Sequence, residues 1–318
     1  MKSDPPSAPS AYLIAGPTAS GKSALALAIA EACNGAIINT DSMQVYNTLN
    51  VLTARPSAQD IARVPHHLYG HVDVARDYSV GQWISDVAEV LDTVRTAGKI
   101  PVFAGGTGLY FRALRQGIAD IPDIPAALRE DLRARLATHG SQALYAELQA
   151  RDPVLAARLH PNDPQRILRG LEVVAATGRP LSAWQNDKHP ALLPDPAMCL
   201  LLMPSRTWLY ARCNARFDAM LEDGKAQAEV AALVAKNLPP DAMAMRALGV
   251  NELAAVAGGT MEYPAAIAQA QMQTRRYAKR QMTWFRNQLV GWPRFTEQDY
   301  EEKFAKIFSF ISKNQLTT

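Results

Sequence analysis

Gly16-Pro17-Thr18-Ala19-Ser20-Gly21-Lys22-Ser23 has the spacing G-x-x-x-x-G-K-S, and its flanks give that spacing a structural setting. Tyr12-Leu13-Ile14-Ala15 before it is an apolar run of strand character, and Ala24 to Ala30 after it is a run of strong helix formers. A strand, a glycine-bounded loop and a helix start together make a phosphate cradle. Backbone N–H groups from Ala19 to Ser23 turn inward, the helix N-terminus adds a favourable dipole, Lys22 brings a point charge, and the Ser23 hydroxyl is placed to hold Mg²⁺. The loop alone leaves open whether the phosphates belong to a nucleotide.

The chain has 318 residues, 48% of them hydrophobic and 20% charged, enough for one large domain and a smaller one. No apolar run approaches the roughly 20 residues needed to span a bilayer, so a soluble, cytoplasmic protein with no membrane partner is expected. Residues 1–10 lack the apolar core of a signal peptide and read as a flexible leader. Cys33, Cys199 and Cys213 fit neither a disulfide framework nor a C-x-x-C metal site, which points to a reducing compartment and to core packing. The net charge of +3 is unevenly spread. From Tyr263 to Thr296 there is no Asp or Glu, while Arg275, Arg276, Lys279, Arg280, Arg286 and Arg294 carry +6 and leave the remainder at −3.

Gly35 to Thr40 reads as a second strand, ending at Asp41-Ser42-Met43-Gln44-Val45-Tyr46. A carboxylate just past a strand end in an open α/β sheet lies in the ligand crevice, which makes Asp41 a chemical candidate. Its alternative use is a helix N-cap with Ser42. His66-His67 lies in loop-like surroundings with no third ligand spaced to complete a metal site, so a structural or substrate-contact role is the better reading. Residues 80–97 have helical periodicity closed by Gly98, and Lys99 to Ala104 is a buried parallel strand running into Gly105-Gly106-Thr107-Gly108-Leu109-Tyr110. Hydrolytic P-loop proteins commonly end such a strand in an Asp that holds Mg²⁺. Gly-Gly-Thr instead suggests a hydroxyl and close backbone approach, with tight packing as the alternative use of the glycines.

From about residue 119 to 189 the chain becomes helix-rich and punctuated by prolines, with amphipathic stretches over 126–138 and 141–149, and reads as an inserted helical subdomain. In Pro161-Asn162-Asp163-Pro164-Gln165-Arg166-Ile167-Leu168-Arg169, residues Gln165, Arg166 and Arg169 share a helix face, one that is as often merely solvated. The sheet resumes at Cys199 to Pro204, followed by a helix over 207–223 on which Arg212 and Arg216 stand four apart, placed to close over phosphates; Arg206 is a further cation nearby. The acid-free helix, 264–289, repeats its cations at four and seven residues with Tyr277, Trp284 and Phe285 interleaved, a pattern that favours nucleic acid.

GPTASGKS, DSMQVY, the TARPS and HHL segments, GGTGLY, HPNDPQRILR, the segment from Arg216 to Gly224 and AKRQMTWFR at 278–286 occur here in the order that resembles the tRNA dimethylallyltransferase family. The likeness runs from Gly16 to about Trp292, with Arg55 where the family generally has Lys and Val250 where Tyr is usual. It implies a P-loop parallel-sheet core, 11–118 plus 190–318, carrying the helical insertion. It also implies transfer of a dimethylallyl group from dimethylallyl diphosphate to N6 of the adenine 3′ of the anticodon, with Mg²⁺.

On that resemblance Asp41 is the general base and Thr107 a hydrogen-bond partner near the bridging oxygen or the adenine. Gly16 to Ser23, Arg212 and Arg216 hold the diphosphate. The tRNA anticodon loop meets Asp41, Ser42, Met43, Gln44 and Thr107 around the flipped base, and Arg129, Gln165, Arg166, Ile167, Leu168, Arg169, Arg246, Lys279, Arg280, Gln281, Trp284 and Arg286 around its backbone. A monomer is expected. Two alternatives remain from the residues themselves: a P-loop kinase acting on a small molecule or nucleotide, and a nucleic-acid-binding module that uses the loop as a nucleotide switch.

Overall fold

Every side chain of Ala11–Ala15 is buried, as the central strand of a parallel sheet covered on both faces requires. In the computed structural model, which describes residues 9–187, 190–193 and 197–315, this strand, β1, is followed by α1 (Lys22–Ala32), β2 (Gly35–Asn39), α2 (Ala58–Arg63), β3 (His66–His67), α3 (Val80–Thr96), β4 (Ile100–Gly105) and α4 (Gly108–Gln116). A helical stretch comprises α5 (Ala126–Arg151), α6 (Pro153–Ala156), α7 (Pro164–Thr177) and α8 (Leu181–Trp184). Then come β5 (Ala197–Leu202), α9 (Arg206–Leu221), α10 (Lys225–Val234), α11 (Val250–Ala257), α12 (Tyr263–Gln288), β6 (Arg294–Phe295) and α13 (Tyr300–Gln315).

The six strands form one parallel sheet in the order β3-β2-β4-β1-β5-β6. This is the doubly covered α/β architecture expected of the loop, with a helical insertion between α4 and β5. By contacts the chain divides into two units, one from the described parts of 1–115 and 193–318, the other from 116–192; composition placed the insertion at 119–189. The leader expected over 1–10 falls, except for Pro9 and Ser10, outside the described residues.

In the larger unit, Ile14, Leu25, Ile29, Val102 and Leu200 form the core under the sheet, joined by Ile307 and Ile311 of α13. In the smaller unit, Leu132, Leu144, Leu148, Ile167 and Leu171 form a core of their own. The break between the amphipathic stretches of α5 falls at Gly140, whose φ of 76° no other residue adopts cheaply. None of the described helices is long and apolar enough to cross a membrane.

The tip of β4 shows why it ends in glycine. A Cβ on Gly105 would lie 1.9 Å from the Thr40 carbonyl oxygen, whereas one on Gly98, just beyond α3, would meet nothing within 4 Å although its φ is +66°. Gly105→Ala is therefore expected to destabilise the protein by ~3 kcal/mol or more through backbone displacement. Gly98→Ala should cost only about 1 kcal/mol, the penalty of a left-handed residue. Urea denaturation midpoints read the difference, and equal midpoints would refute the close-approach explanation.

Candidate active site

The phosphate loop is built from two left-handed residues, Ala19 at φ 64° and Gly21 at φ 90°, with Gly21 as the N-cap of α1. The helix start leaves the N–H groups of Lys22 and Ser23 without intrahelical partners. Not every expected donor is available. Ser20 N–H closes a turn on the Pro17 carbonyl at 3.2 Å, and Thr18 N–H donates to Gln281 Oε1 at 2.8 Å. The inward-turned set from Ala19 to Ser23 is thus interrupted at Ser20, whose fully buried hydroxyl has no partner among the described residues. Arg216 donates to Thr18 Oγ1, and Arg212 Nε to the Ala19 carbonyl at 3.2 Å, so both predicted arginines reach the loop. Burial pulls the Lys22 ammonium down to about 8, against the opposing pull of Asp41 and with a further push from Arg216.

Asp41 sits at the tip of β2 but caps no helix. Its Oδ1 accepts the Met43 N–H at 3.0 Å, a local turn, while the Asn39 amide holds its backbone on both sides at 2.9 Å. Asn39 is fully buried, and its carbonyl is fixed by the Trp83 indole at 3.1 Å. Asp41 Oδ2 faces Gly106, where a Cβ would come within 3.2 Å of it. Thr107 Oγ1 accepts the Ser42 N–H at 2.9 Å and lies 3.3 Å from Ser42 Oγ. Each glycine of the Gly-Gly-Thr-Gly turn admits a neighbour: Thr40 at Gly105, Gln281 and Asp41 at Gly106, and the Trp284 ring at Gly108.

Three cavities open around these groups, all within the larger unit. One of about 270 Å³ brings Thr18, Asp41, Ser42, Met43, Arg216, Arg246 and Arg280 together with an apolar wall of Leu52, Phe217, Met220, Met243 and Leu248. A second, of about 440 Å³, holds Lys22, Ser23, Arg55, His66, Arg212 and Arg216 on the loop's other side. The third, about 240 Å³, is lined by Ser42, Thr107, Leu109, Arg280 and Trp284. Burial lowers both His66 and His67, and no group of three or more metal-ligating side chains occurs among the described residues.

The nucleic-acid candidates divide. On α12, Lys279, Arg280 and Arg286 are exposed and Trp284 is half-buried. Gln281 is a correction: it is buried, its amide committed to Thr18 N–H on one side and to the Gly106 carbonyl, at 2.9 Å, on the other. Gln44 commits its Nε2 to the carbonyls of Thr53 and Ala54. In the smaller unit Gln165 and Arg166 are exposed and Arg169 and Arg129 half-buried, with Arg166 beside Asp163 and Arg169 beside Glu172. Ile167 and Leu168 turn inward onto the core, because the same helix period that exposes Arg166 buries its successor.

Residues that sequence reasoning passed over include Leu52, Phe217, Met220 and Met243, each indistinguishable from core in the sequence. Lys303 did leave a signal: it stands four and eight residues before Ile307 and Ile311, on the apolar phase of its helix.

An IPP transferase family model matches residues 44–288 and an isopentenyl transferase model residues 9–69. The tRNA dimethylallyltransferase of Rhizobium etli is 53% identical over 288 residues, covering 90% of this chain and 97% of that protein. That of Rhodopseudomonas palustris is 55% identical over 280 residues, 88% of each. Among solved structures, a eukaryotic dimethylallyltransferase acting on tRNA superposes with a TM-score of 0.80 at 28% identity, over 95% of this chain and 79% of that one. The tRNA isopentenylpyrophosphate transferase of Bacillus halodurans gives 0.66 at 33%, over 96% of both. By these matches the chain is a prenyltransferase and belongs to the IPP transferase family.

Proposed function

We propose that the protein transfers the dimethylallyl group of dimethylallyl diphosphate to the exocyclic N6 of the adenine immediately 3′ of the anticodon in tRNA, releasing diphosphate. The observation that carries this reading is the cavity of about 270 Å³, in which loop and arginine, a carboxylate and an apolar wall share one space. A five-carbon chain offers no hydrogen bonds and needs such a wall; its diphosphate needs the cations beside it.

As the allylic C–O bond breaks, its electron pair passes to the bridging oxygen. Lys22, Arg216 and the N–H groups of Lys22 and Ser23 stabilise the charge that grows there, each preorganised donor contributing about 3 kcal/mol in the transition state. Ser23 is exposed at the first turn of α1 and faces the second cavity, a donor set that fits Mg²⁺, which takes one or two protein oxygens and completes its shell with phosphate and water. When bound, that ion neutralises diphosphate charge. N6 forms the new C–N bond and passes its proton to Asp41 Oδ2, because Oδ1 already accepts the Met43 N–H. The adenine reaches Asp41 only when flipped from the anticodon loop, with Trp284 and Tyr277 as stacking surfaces and the exposed cations of α12 on the phosphates. Gln165, Arg166, Arg169 and Arg129 supply cations and amides for the same RNA.

Incubation with bulk tRNA and dimethylallyl diphosphate should add one five-carbon unit to a tRNA adenosine, read by nucleoside mass spectrometry. In that assay Asp41→Asn should lower kcat by 10²- to 10⁴-fold, the usual worth of a general base, with tRNA affinity within about twofold of the parent. Equal loss of both would make Asp41 a binding residue. Replacing Arg280 and Arg286 together with Ala should weaken tRNA binding and lower the slope of log K against log salt by about 1.5 to 2, and an unchanged slope would rule out phosphate contact.

The free enzyme's Lys22 carries its charge below about 8 and loses it above. The donor kcat/KM, which reports the free enzyme, should therefore fall as pH rises through about 8, whereas kcat stays level to higher pH because bound diphosphate holds the proton on Lys22. A kcat/KM profile flat to about pH 10, the range of an ordinary lysine, would detach Lys22 from donor binding.

A further inference from the structure

Lys303 of α13 is 3% exposed, the position of a core residue. A buried ammonium is expected to find a carboxylate. This one forms no ion pair among the described residues; its Nζ donates to the Ser20 carbonyl at 3.3 Å and stands 5.0 Å over the Trp208 ring. The same indole carries the Arg212 guanidinium at 4.8 Å, and Arg212 in turn donates to the Ala19 carbonyl. Arg216 takes Thr18 Oγ1. Three consecutive loop residues, Thr18, Ala19 and Ser20, are thus each held by a different cation from elsewhere in the chain.

We propose that Lys303 is a positioning residue for the diphosphate loop, aiming the Gly21 N–H at the donor through the Ser20 carbonyl, with Trp208 as the shared aromatic seat of Lys303 and Arg212. This rests on the reading of the loop as the seat of a diphosphate. The argument is one of peptide geometry. In a planar trans peptide the C=O of residue 20 and the N–H of residue 21 point in opposite directions. A cation that draws the Ser20 oxygen away from the cradle therefore turns the Gly21 N–H into it. The neighbouring peptide shows the contrast: with its oxygen on Arg212, its Ser20 N–H is closed on the Pro17 carbonyl, so it offers nothing to a ligand. Gly21 has φ 90° and no Cβ, which leaves the adjoining peptide more rotational freedom than any other residue would. The Lys303 ammonium also stands close, 3.7 Å from where a Gly21 Cβ would be, and adds its charge to that of Lys22. Burial, reinforced by Arg212 and opposed by Glu297 and Asp299, lowers its hold on its proton, a cost that an arriving anion relieves. The contact comes from outside the 44–288 segment that the IPP transferase model matches.

The test uses Lys303→Met, which keeps the stem and removes the charge, and Lys303→Arg, which restores a cation, in the full chain. Inorganic diphosphate binding is measured by calorimetry, steady-state prenylation with tRNA as acceptor, and tRNA affinity separately. Lys303→Met should weaken diphosphate binding and raise the KM for dimethylallyl diphosphate by about tenfold or more, the worth of a charge-assisted hydrogen bond. The tRNA Kd should stay within about twofold and Lys303→Arg should recover most of the loss. A folded Lys303→Met whose diphosphate affinity and KM move less than about twofold, or whose tRNA affinity falls in step, overturns the proposal. Should Lys303→Met fail to fold, Trp208→Leu is read on the same constants, with loss of diphosphate affinity supporting the brace and parent-like affinity overturning it. If the parent protein binds inorganic diphosphate through Lys303 but prenylates no tRNA, the brace stands and the donor reading fails.

Discussion

One buried carboxamide spans the gap on which the site depends. The oxygen of Gln281 accepts Thr18 N–H at 2.8 Å and its nitrogen donates to the Gly106 carbonyl at 2.9 Å. The β1–β4 ladder ends at Ala15 and Gly105, so no backbone rungs join the segments that follow. A planar amide of fixed length, reaching in from α12, replaces the missing rungs. It is 6% exposed, so either bond left unmade would cost about 1–3 kcal/mol. The distance between phosphate loop and Thr107 turn is thereby set by a helix whose opposite face carries Lys279 and Arg286, with Arg280 turned toward the cavities. Donor cradle and basic surface are two faces of one rigid element.

Charge then decides which group can take a proton. Asp41 is the one carboxylate among the described residues lining the cavity of about 270 Å³. Burial and then the Asp41 charge push the phenols of Tyr277, Tyr110 and Tyr69 upward, so they stay neutral hydrogen-bonding groups and cannot serve as bases. Burial likewise raises the Cys213 thiol, although Arg216, Arg275, Lys22 and Arg212 pull the other way. Each alternative acceptor in reach is disarmed by the same low-dielectric surroundings that sharpen the cations around the loop. Asp41 is oriented by the Met43 N–H on its Oδ1 and by the Asn39 amide on both sides of its backbone.

What the sequence made legible follows the physics of short range. Four of the six strands announced themselves as apolar runs, since a doubly covered parallel strand must be apolar throughout. His66–His67 and Arg294–Phe295 are two-residue edge strands, too short to hold any period, and their assignment belongs to β2 and β5. The phosphate loop was readable because its function is written in backbone. Ile167 and Gln281 show the opposite case: a motif that carries function also contains the residues that hold it in place, and spacing does not separate them. Arg55 and Val250 illustrate how context reassigns a departure. Arg55 donates to the carbonyls of Tyr46 and Asn47 beside Gly70, and Val250 is wholly buried in the core that includes Phe217.

The hydrocarbon wall was invisible for a different reason. Leu52, Phe217 and Met243 come from separate segments that meet only in the folded chain. Dispersion between such side chains is non-directional and cannot by itself fix where a wall stands. The structure supplies direction with polar groups behind it. The Glu229 carboxylate accepts the N–H groups of Asn50, Val51 and Leu52 at 3.0, 2.7 and 3.2 Å, and Gln44 ties the next two carbonyls. An apolar pocket distinguishes one methylene by only about 1–3 kcal/mol. That margin survives only where a wall does not yield, and the fixity of the segment carrying Leu52 rests on the Glu229 carboxylate.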